Sequence, residues 1–328
     1  MSKKIVAAAV ALAVGSVMSS AALAGETTIS GKTWFQFLHK KTAGSDATNG
    51  FQVPRFYLSI DHRFDDIWSM DLTTDLYHSS NDNHVNVYVK KAYVQAAVNP
   101  AAKFRFGSAD MPWIPYAEHA YGFRYVQATL TDRNHFANSA DWGAHMLGKV
   151  GMFDYQLSVV NGGGYKDTSF SKSVDFAGRV GVSPVKGLKL ALGGYNGKLN
   201  QDTPGSSGIN TATRYDLLAA YHTSMFGVGG EYFSAKDWKT GTTSDKADGF
   251  SVYGDVTPIP SWTIFARYDE VKPNKDTHPD YKNKFYNVGV QYEVMKNIKV
   301  AVAYQRDKFD NQTPDKQDEI GLYSEVKF

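Results

Sequence analysis

Residues 55–63 read RFYLSIDHR and residues 69–77 read SMDLTTDLY, and both alternate between two kinds of side chain. In the first, Phe56, Leu58 and Ile60 fall on one side of an extended chain, with Arg55, Tyr57, Ser59, Asp61 and Arg63 on the other. In the second, Met70, Leu72, Thr74 and Leu76 oppose Ser69, Asp71, Thr73, Asp75 and Tyr77. A period of two belongs to a β-strand, whose successive side chains point to opposite faces. One face here is oily and the other charged, so each strand separates two different solvents.

The same alternation recurs outward from these segments. Phe104 and Phe106 oppose Lys103 and Arg105; Tyr155, Leu157 and Val159 oppose Asp154, Gln156 and Ser158; Trp262, Ile264, Ala266 and Tyr268 oppose Arg267 and Asp269. Read this way, the polar face carries Arg55, Arg63, Lys91, Lys103, Arg105, Arg179, Lys189, Arg214 and Arg267. It also carries Asp61, Asp71, Asp75, Asp154, Asp175, Asp216, Asp255 and Asp269.

Connections between strands alternate in length. Short ones fall around 64–67, 99–102, 151–152, 183–187, 224–225, 257–261 and 295–297. Polar stretches rich in Gly, Ser, Asn, Asp and Thr occupy 41–50, 79–84, 110–137, 161–172, 199–211, 235–247, 272–282 and 309–316. Seven short turns and eight long loops imply about sixteen strands, with both chain ends on the short-turn side. Segments of about ten residues are long enough for a tilted strand to cross a bilayer, and closure satisfies the backbone groups that lipid cannot. The expectation is an all-β transmembrane antiparallel barrel occupying 25–328 as one domain. A soluble sandwich seldom needs so many strands of one length. Trp34, Trp68, Tyr77, Trp142, Trp262 and Tyr304, near strand ends, fit the two aromatic girdles of such a barrel.

The beginning of the chain reads as an export signal: Lys3 and Lys4, an apolar run from Ile5 to Val14, then Ala22-Leu23-Ala24 before a cleavage point. Residues 1–24 are thus expected to be a signal peptide. Removing its two lysines leaves 33 basic residues against 33 acidic ones, a balance that argues against a nucleic-acid partner. The absence of cysteine removes disulfides, thiolate metal sites and c-type haem attachment.

Motifs for other chemistry fail on spacing. Gly31-Lys32-Thr33 resembles the end of a phosphate-binding loop, but the glycine required upstream is replaced by Glu26. Gly162-Gly163-Gly164 lacks the following helix of a dinucleotide fold, and Asp315, Asp318 and Glu319 lack the spacing of a calcium loop. No nucleophile and base can be paired among the nine histidines and their neighbours. Neither enzyme activity, cofactor nor metal is expected.

The last strand, with Ile320, Leu322, Ser324, Val326 and Phe328 on one face, resembles the terminal strand of bacterial outer-membrane proteins. That resemblance implies recognition by the barrel-assembly machinery through Phe328. A closer one covers the first two-thirds: FQVPRFYLSIDHRFDDIWSMDLTTD at 51–75, VKKAY at 89–93, FGSADMP at 106–112, and DFAGRV at 175–180 followed by Pro184. In the order of these blocks the chain resembles the phosphate-selective porin O and P family.

The resemblance implies a homotrimer in the cell outer membrane. Each barrel would have its own pore, narrowed by a long third extracellular loop folding inward, and the stretch 110–137 suits that loop. Lys103, Arg105, Glu118, Arg124, Arg133, Arg179, Asp61, Asp71 and Asp75 are the expected pore-lining and constriction residues, with the cations facing the three aspartates. The two signs nearly match on the polar face, which predicts modest selectivity. The expected function is passive diffusion of ions and small hydrophilic solutes through a water-filled channel. The alternatives are an anion- or phosphate-selective channel of the same fold, a non-conducting structural barrel, and a barrel enzyme.

Overall fold

The computed structural model describes residues 25–78, 85–238 and 241–328. The expected signal segment, the loop at 79–84 and residues 239–240 lie outside the described residues, as does the side chain of Tyr77. Sixteen strands follow one another: β1 (Glu26–Thr42), β2 (Thr48–Arg63), β3 (Trp68–His78), β4 (Val85–Asn99), β5 (Ala102–Asp110), β6 (Ala140–Val150), β7 (Phe153–Val160) and β8 (Asp175–Val182). The second half continues with β9 (Leu188–Gly197), β10 (Ala212–His222), β11 (Phe226–Lys236), β12 (Lys246–Ile259), β13 (Trp262–Lys272), β14 (Lys282–Met295), β15 (Ile298–Asp310) and β16 (Lys316–Lys327). Each pairs antiparallel with the next, and β1 pairs with β16, so the sheet closes into a barrel.

The alternation partitions as the two solvents demand. Leu157, Val180, Leu192, Leu217, Val302 and Leu322 stand at least half exposed on the outside, where lipid replaces water. Their neighbours Gln156, Ser158, Arg179, Asp216 and Tyr323 are buried on the inside. Closure is completed at Gly31, which exchanges two 3.0 Å backbone hydrogen bonds with Phe328. A Cβ at Gly31 would lie 2.2 Å from the Phe328 ring, so the glycine leaves the space that this ring fills.

Three details depart from the sequence pattern. β1, β2 and β4 run for 17, 16 and 15 residues, well past the expected ten, and the loops expected at 41–50 and 309–316 shrink to 43–47 and 311–315. Beyond the lipid both faces of a strand are wet, so alternation disappears while pairing continues; Lys40 pairs with Thr48 and Glu319 there, and its amine meets the Glu319 carboxylate at 3.0 Å. Trp34 is not a girdle residue. It shares the inward face with Lys32 and Gln36, is 3% exposed, and donates to Glu325 at 3.0 Å. The third detail is a bulge: Thr73 pairs with Lys91 and Thr74 with Val89, leaving Lys90 as an extra residue.

The connection between β5 and β6, residues 111–139, turns into the barrel. It holds two short helices, α1 (Ile114–Tyr121) and α2 (Leu130–Arg133).

Candidate functional site

This third loop folds inward because its side chains ask to be covered. Met111, Trp113, Ile114, Ala117, Tyr125, Leu130 and Phe136 are each at most 5% exposed. Pro115 sits in the first turn of α1, where a missing N–H costs nothing, and Gly122, at φ 81°, ends the helix by donating to the Glu118 carbonyl at 3.0 Å. The buried stripe of Ile114, Ala117, Ala120 and Tyr121 faces the wall. Ala117 and Ala120 pack there with Ala191, Leu218 and Ala220, small residues that let helix and sheet approach closely. At Gly193 a Cβ would stand 2.5 Å from the Trp113 ring.

Three wall arginines pin the loop backbone. Arg179 on β8 donates to the Pro112 carbonyl at 2.9 Å, pairs with Asp154 at 2.5 Å and lies 3.8 Å over the Tyr116 ring. Arg214 on β10 donates to the Phe136 carbonyl and pairs with Asp216 at 2.8 Å. Arg267 on β13 donates to the Ala128 carbonyl at 2.6 Å and pairs with Asp269 at 2.6 Å, both side chains 1% exposed. In the last two pairs the aspartate is two residues along the same strand, hence on the same face and within reach of a guanidinium. Arg133 of α2 reaches Asp307 on β15 and covers the Phe285 ring at 3.9 Å. Tyr125 and Gln127 add hydrogen bonds to Gln291 and Gln305.

Arg179, expected at the pore, is therefore a buried fastener of the loop, and Arg133 fastens it too while remaining part-exposed to the cavity on the long-loop side. The expected arrangement of cations facing aspartates across the lumen is also corrected. Asp71 and Asp75 meet cations of their own wall, Lys91 at 3.4 Å and Arg55 at 3.3 Å, while Asp61 lies directly across from Asp71 in the strand register. Neighbouring strands stand about 4.8 Å apart, far closer than opposite walls, so pairing along one wall wins. Glu118 and Arg124 do come together. Arg124 donates to Glu118 at 2.6 Å and to Asp132 at 2.8 Å, and lies 5.0 Å over Trp34. Burial disfavours its charge, but Asp132 and Glu118 outweigh that and hold the guanidinium above its ordinary pKa.

The wall of β1 to β5 carries Arg105, which the sequence pointed to, and two cations that sequence reasoning missed, Lys32 and Lys90. Lys32 lies 5.2 Å from the Tyr57 ring and 5.6 Å from Trp34. Lys90 lies 4.5 Å from Tyr57 and 5.8 Å from Tyr165, and donates to the Tyr57 hydroxyl at 3.2 Å. Arg105 donates to Gln95 at 2.9 Å and covers the Tyr93 ring at 4.7 Å. Among the described residues, no carboxylate oxygen comes within 4.0 Å of Lys32, Lys90, Lys103 or Arg105. Ring faces hold Lys32, Lys90 and Arg105 instead; Glu118, Glu325 and Asp110 act on these two lysines only from beyond 4.0 Å, so their positive field is offset in part and not cancelled by direct pairing. A signal for Lys90 existed: strict alternation through Lys90-Lys91 puts one ammonium into lipid, and a bulge is the cheaper solution.

Cavities open on both sides of the loop. One of about 370 Å³, toward the long loops, is lined by Lys40, Arg55, Arg124, Asp132, Arg133 and Glu319. Another of about 430 Å³, toward the short turns, is lined by His119, Lys189, His222, Asp255, Glu293 and Lys299. Burial, with Lys189 and His222 beside it, lowers the His119 pKa below the ordinary 6.5. Lys103 lies next to the short turn after β4, at the mouth and away from Arg124. A larger concavity of about 1100 Å³ is a crease on the lipid-facing outside, between Phe104, Leu157, Phe176 and Tyr215, and is no part of the channel.

A closed sixteen-strand barrel with a polar interior and an inward third loop defines an outer-membrane channel protein of the porin class. The family model described as Gram-negative porin matches residues 7–312, and the chain belongs to that family. This is a broader statement than the resemblance to porins O and P, with which it agrees. Its place is the outer membrane and its function is passive diffusion through the barrel.

Solved structures share the fold at low identity. An anion-selective porin from Comamonas acidovorans is 13% identical, with 93% of this chain and 100% of that chain covered and a TM-score of 0.69. The outer-membrane channel DcaP of Acinetobacter baumannii is 10% identical, with 93% and 97% covered and a TM-score of 0.68. OmpT of Vibrio cholerae, in its trimer form, is 15% identical, with 93% and 100% covered and a TM-score of 0.62. Comparison with curated protein sequences yields no match.

Proposed function

We propose that this porin is a weakly anion-preferring general diffusion pore, working as a homotrimer and without enzymatic activity. One observation carries the preference: Lys32, Lys90 and Arg105 face the lumen over aromatic rings with no carboxylate oxygen of the described residues within 4.0 Å. Lumen cations without a nearby counter-charge draw anions into a pore. Arg55 with Asp75, Lys91 with Asp71, and Arg124 with Glu118 and Asp132 cancel in pairs, which keeps the preference weak and favours no single solute. Arg124, Glu118, Arg55, Lys91, Asp71 and Asp75 belong to the constriction in this reading, with Asp61 and Lys103 nearer the short-turn mouth. Residues 1–24 act as the export signal, and Phe328 is the residue offered to the barrel-assembly machinery.

The trimer draws support from the Vibrio cholerae OmpT form of the same fold. The test is the reversal potential of purified protein in a planar bilayer with asymmetric KCl, then with added phosphate. Open steps with a potential displaced modestly toward the chloride equilibrium are expected, with no block by phosphate. Cation preference, block by phosphate, or silence from a folded barrel each overturns the proposal.

A further inference from the structure

Behind the third loop, the covered wall is dry in two places and polar in one. Toward the long loops, Phe136, Phe233, Val271 and Leu130 are at most 1% exposed and belong to one apolar cluster. Toward the short turns, Phe123 stacks on Phe265 at 4.4 Å. Between these layers lie Tyr121, Glu231, Ser251, Tyr253 and Asn287, each at most 6% exposed.

The strand register makes them one patch. Glu231 pairs with Ser251, Tyr253 with Arg267, and Arg267 with Asn287, while Ser251 and Tyr253 share a face of β12. Cross-strand partners on one face stand about 5 Å apart at Cβ. From the loop side, the Tyr121 ring meets Tyr253 at 5.2 Å and lies 4.8 Å from the Arg267 guanidinium.

Six polar atoms of this patch have no hydrogen-bond partner among the described residues: Tyr121 Oη, Glu231 Oε2, Ser251 Oγ, Tyr253 Oη, and both Asn287 Oδ1 and Nδ2. Each costs about 1–3 kcal/mol if left unsatisfied, and six together rival the net stability of a domain. The two guanidiniums nearby, Arg214 and Arg267, are turned to Asp216, Asp269 and loop carbonyls, and neither is hydrogen-bonded to these six atoms.

We propose that this patch is an internal water site, in which ordered water molecules joined to Glu231, Ser251, Tyr253, Asn287 and Tyr121 form a wet bed under the end of α1. The donor set selects water over a metal ion. Hydroxyls that give and take, an amide that does both and a carboxyl suit a ligand with two donors and two acceptors. The Asn287 amide nitrogen and the Arg267 guanidinium repel a cation. The loop is thus seated on hydrocarbon at Leu130 and Phe136 and on water at Tyr121.

Hydroxyl-radical footprinting of the intact porin in detergent tests this, because radicals made from bound water mark the side chains beside it. Tyr121 and Tyr253 are expected to be modified several-fold faster than Tyr323, which is equally hidden but has its hydroxyl bonded to Glu319 and Gln305. Equal slow rates at all three overturn the proposal. Asn287→Leu, which removes two of the six atoms, is expected to slow both marked tyrosines; unchanged rates mean that radicals arrive from the channel, and overturn it as well. Folding of the variant is checked by its shift on heating in gel electrophoresis. Should it fail to fold, the wild-type comparison with Tyr323 decides alone.

Discussion

The two halves of the lumen wall use the same residue types for opposite ends. On β8, β10 and β13 each arginine has an aspartate at 2.5–2.8 Å and a loop carbonyl to donate to. On β1, β4 and β5, Lys32, Lys90 and Arg105 lie over rings, with no carboxylate oxygen of the described residues within 4.0 Å. A lumen cation therefore contributes to the channel's field only where the third loop leaves it uncovered. Under the loop, the same charge is spent on holding backbone, and its field is cancelled locally by its aspartate.

The sharpest break of that contrast is Arg267→Leu. It strands Asp269 in a buried place and releases the Ala128 carbonyl, and removing one member of a buried ion pair costs about 3–5 kcal/mol. A lower unfolding temperature and larger, noisier single-channel conductance are expected, with ion preference little changed. A quiet channel of unaltered conductance would show that the loop does not need this pin.

Next in size is the double change Lys32→Gln and Lys90→Gln on the open wall. Stability is expected to hold, since neither lysine has a salt bridge to lose among the described residues. The reversal potential in a KCl gradient is expected to fall to zero or change sign. Retained anion preference would move the selecting charges elsewhere. Arg105→Gln should shift the potential in the same direction by less, because one cation is removed instead of two; a shift exceeding that of the double variant breaks the assignment.

Much of this division could be anticipated, and the failures are specific. Alternation told inside from outside at Arg55, Asp71, Arg179 and Arg267, because lipid on one face makes register costly to slip. Turn lengths yielded the strand number and the third loop for the same reason: the short-turn side needs no more than a reversal. What alternation could not tell is which lumen residues the loop would cover. Arg179 and Arg105 have the same pattern around them, and only the meeting of α1 with Ala191, Gly193 and Ala220 separates them. Asp61 and Asp71 were expected to look across the channel, yet cross-strand spacing decides their partners first. Lys90 was hidden by a bulge that alternation excludes by construction.

The smallest expected effect lies at the edge between the two walls, on α1 itself. His119 opens to the short-turn cavity with Lys189 and His222 near it, and these, together with burial, depress its pKa below 6.5. The sign follows from that direction. The folded protein takes the proton less readily than the unfolded chain does, so His119 stays neutral from alkaline pH down through 6.5, and charges only further below. Falling pH in that lower range adds a cation to the mouth and also costs a little stability. Anion preference is therefore expected to be flat above pH 6.5 and to rise below it, with His119→Gln flattening part of the rise. Asp255 and His222 line the same cavity, so the informative quantity is the difference between wild type and variant. A difference that appears above pH 6.5 would mean that His119 is more easily charged than its cationic neighbours allow. The edge of the loop would then belong electrically to the open wall.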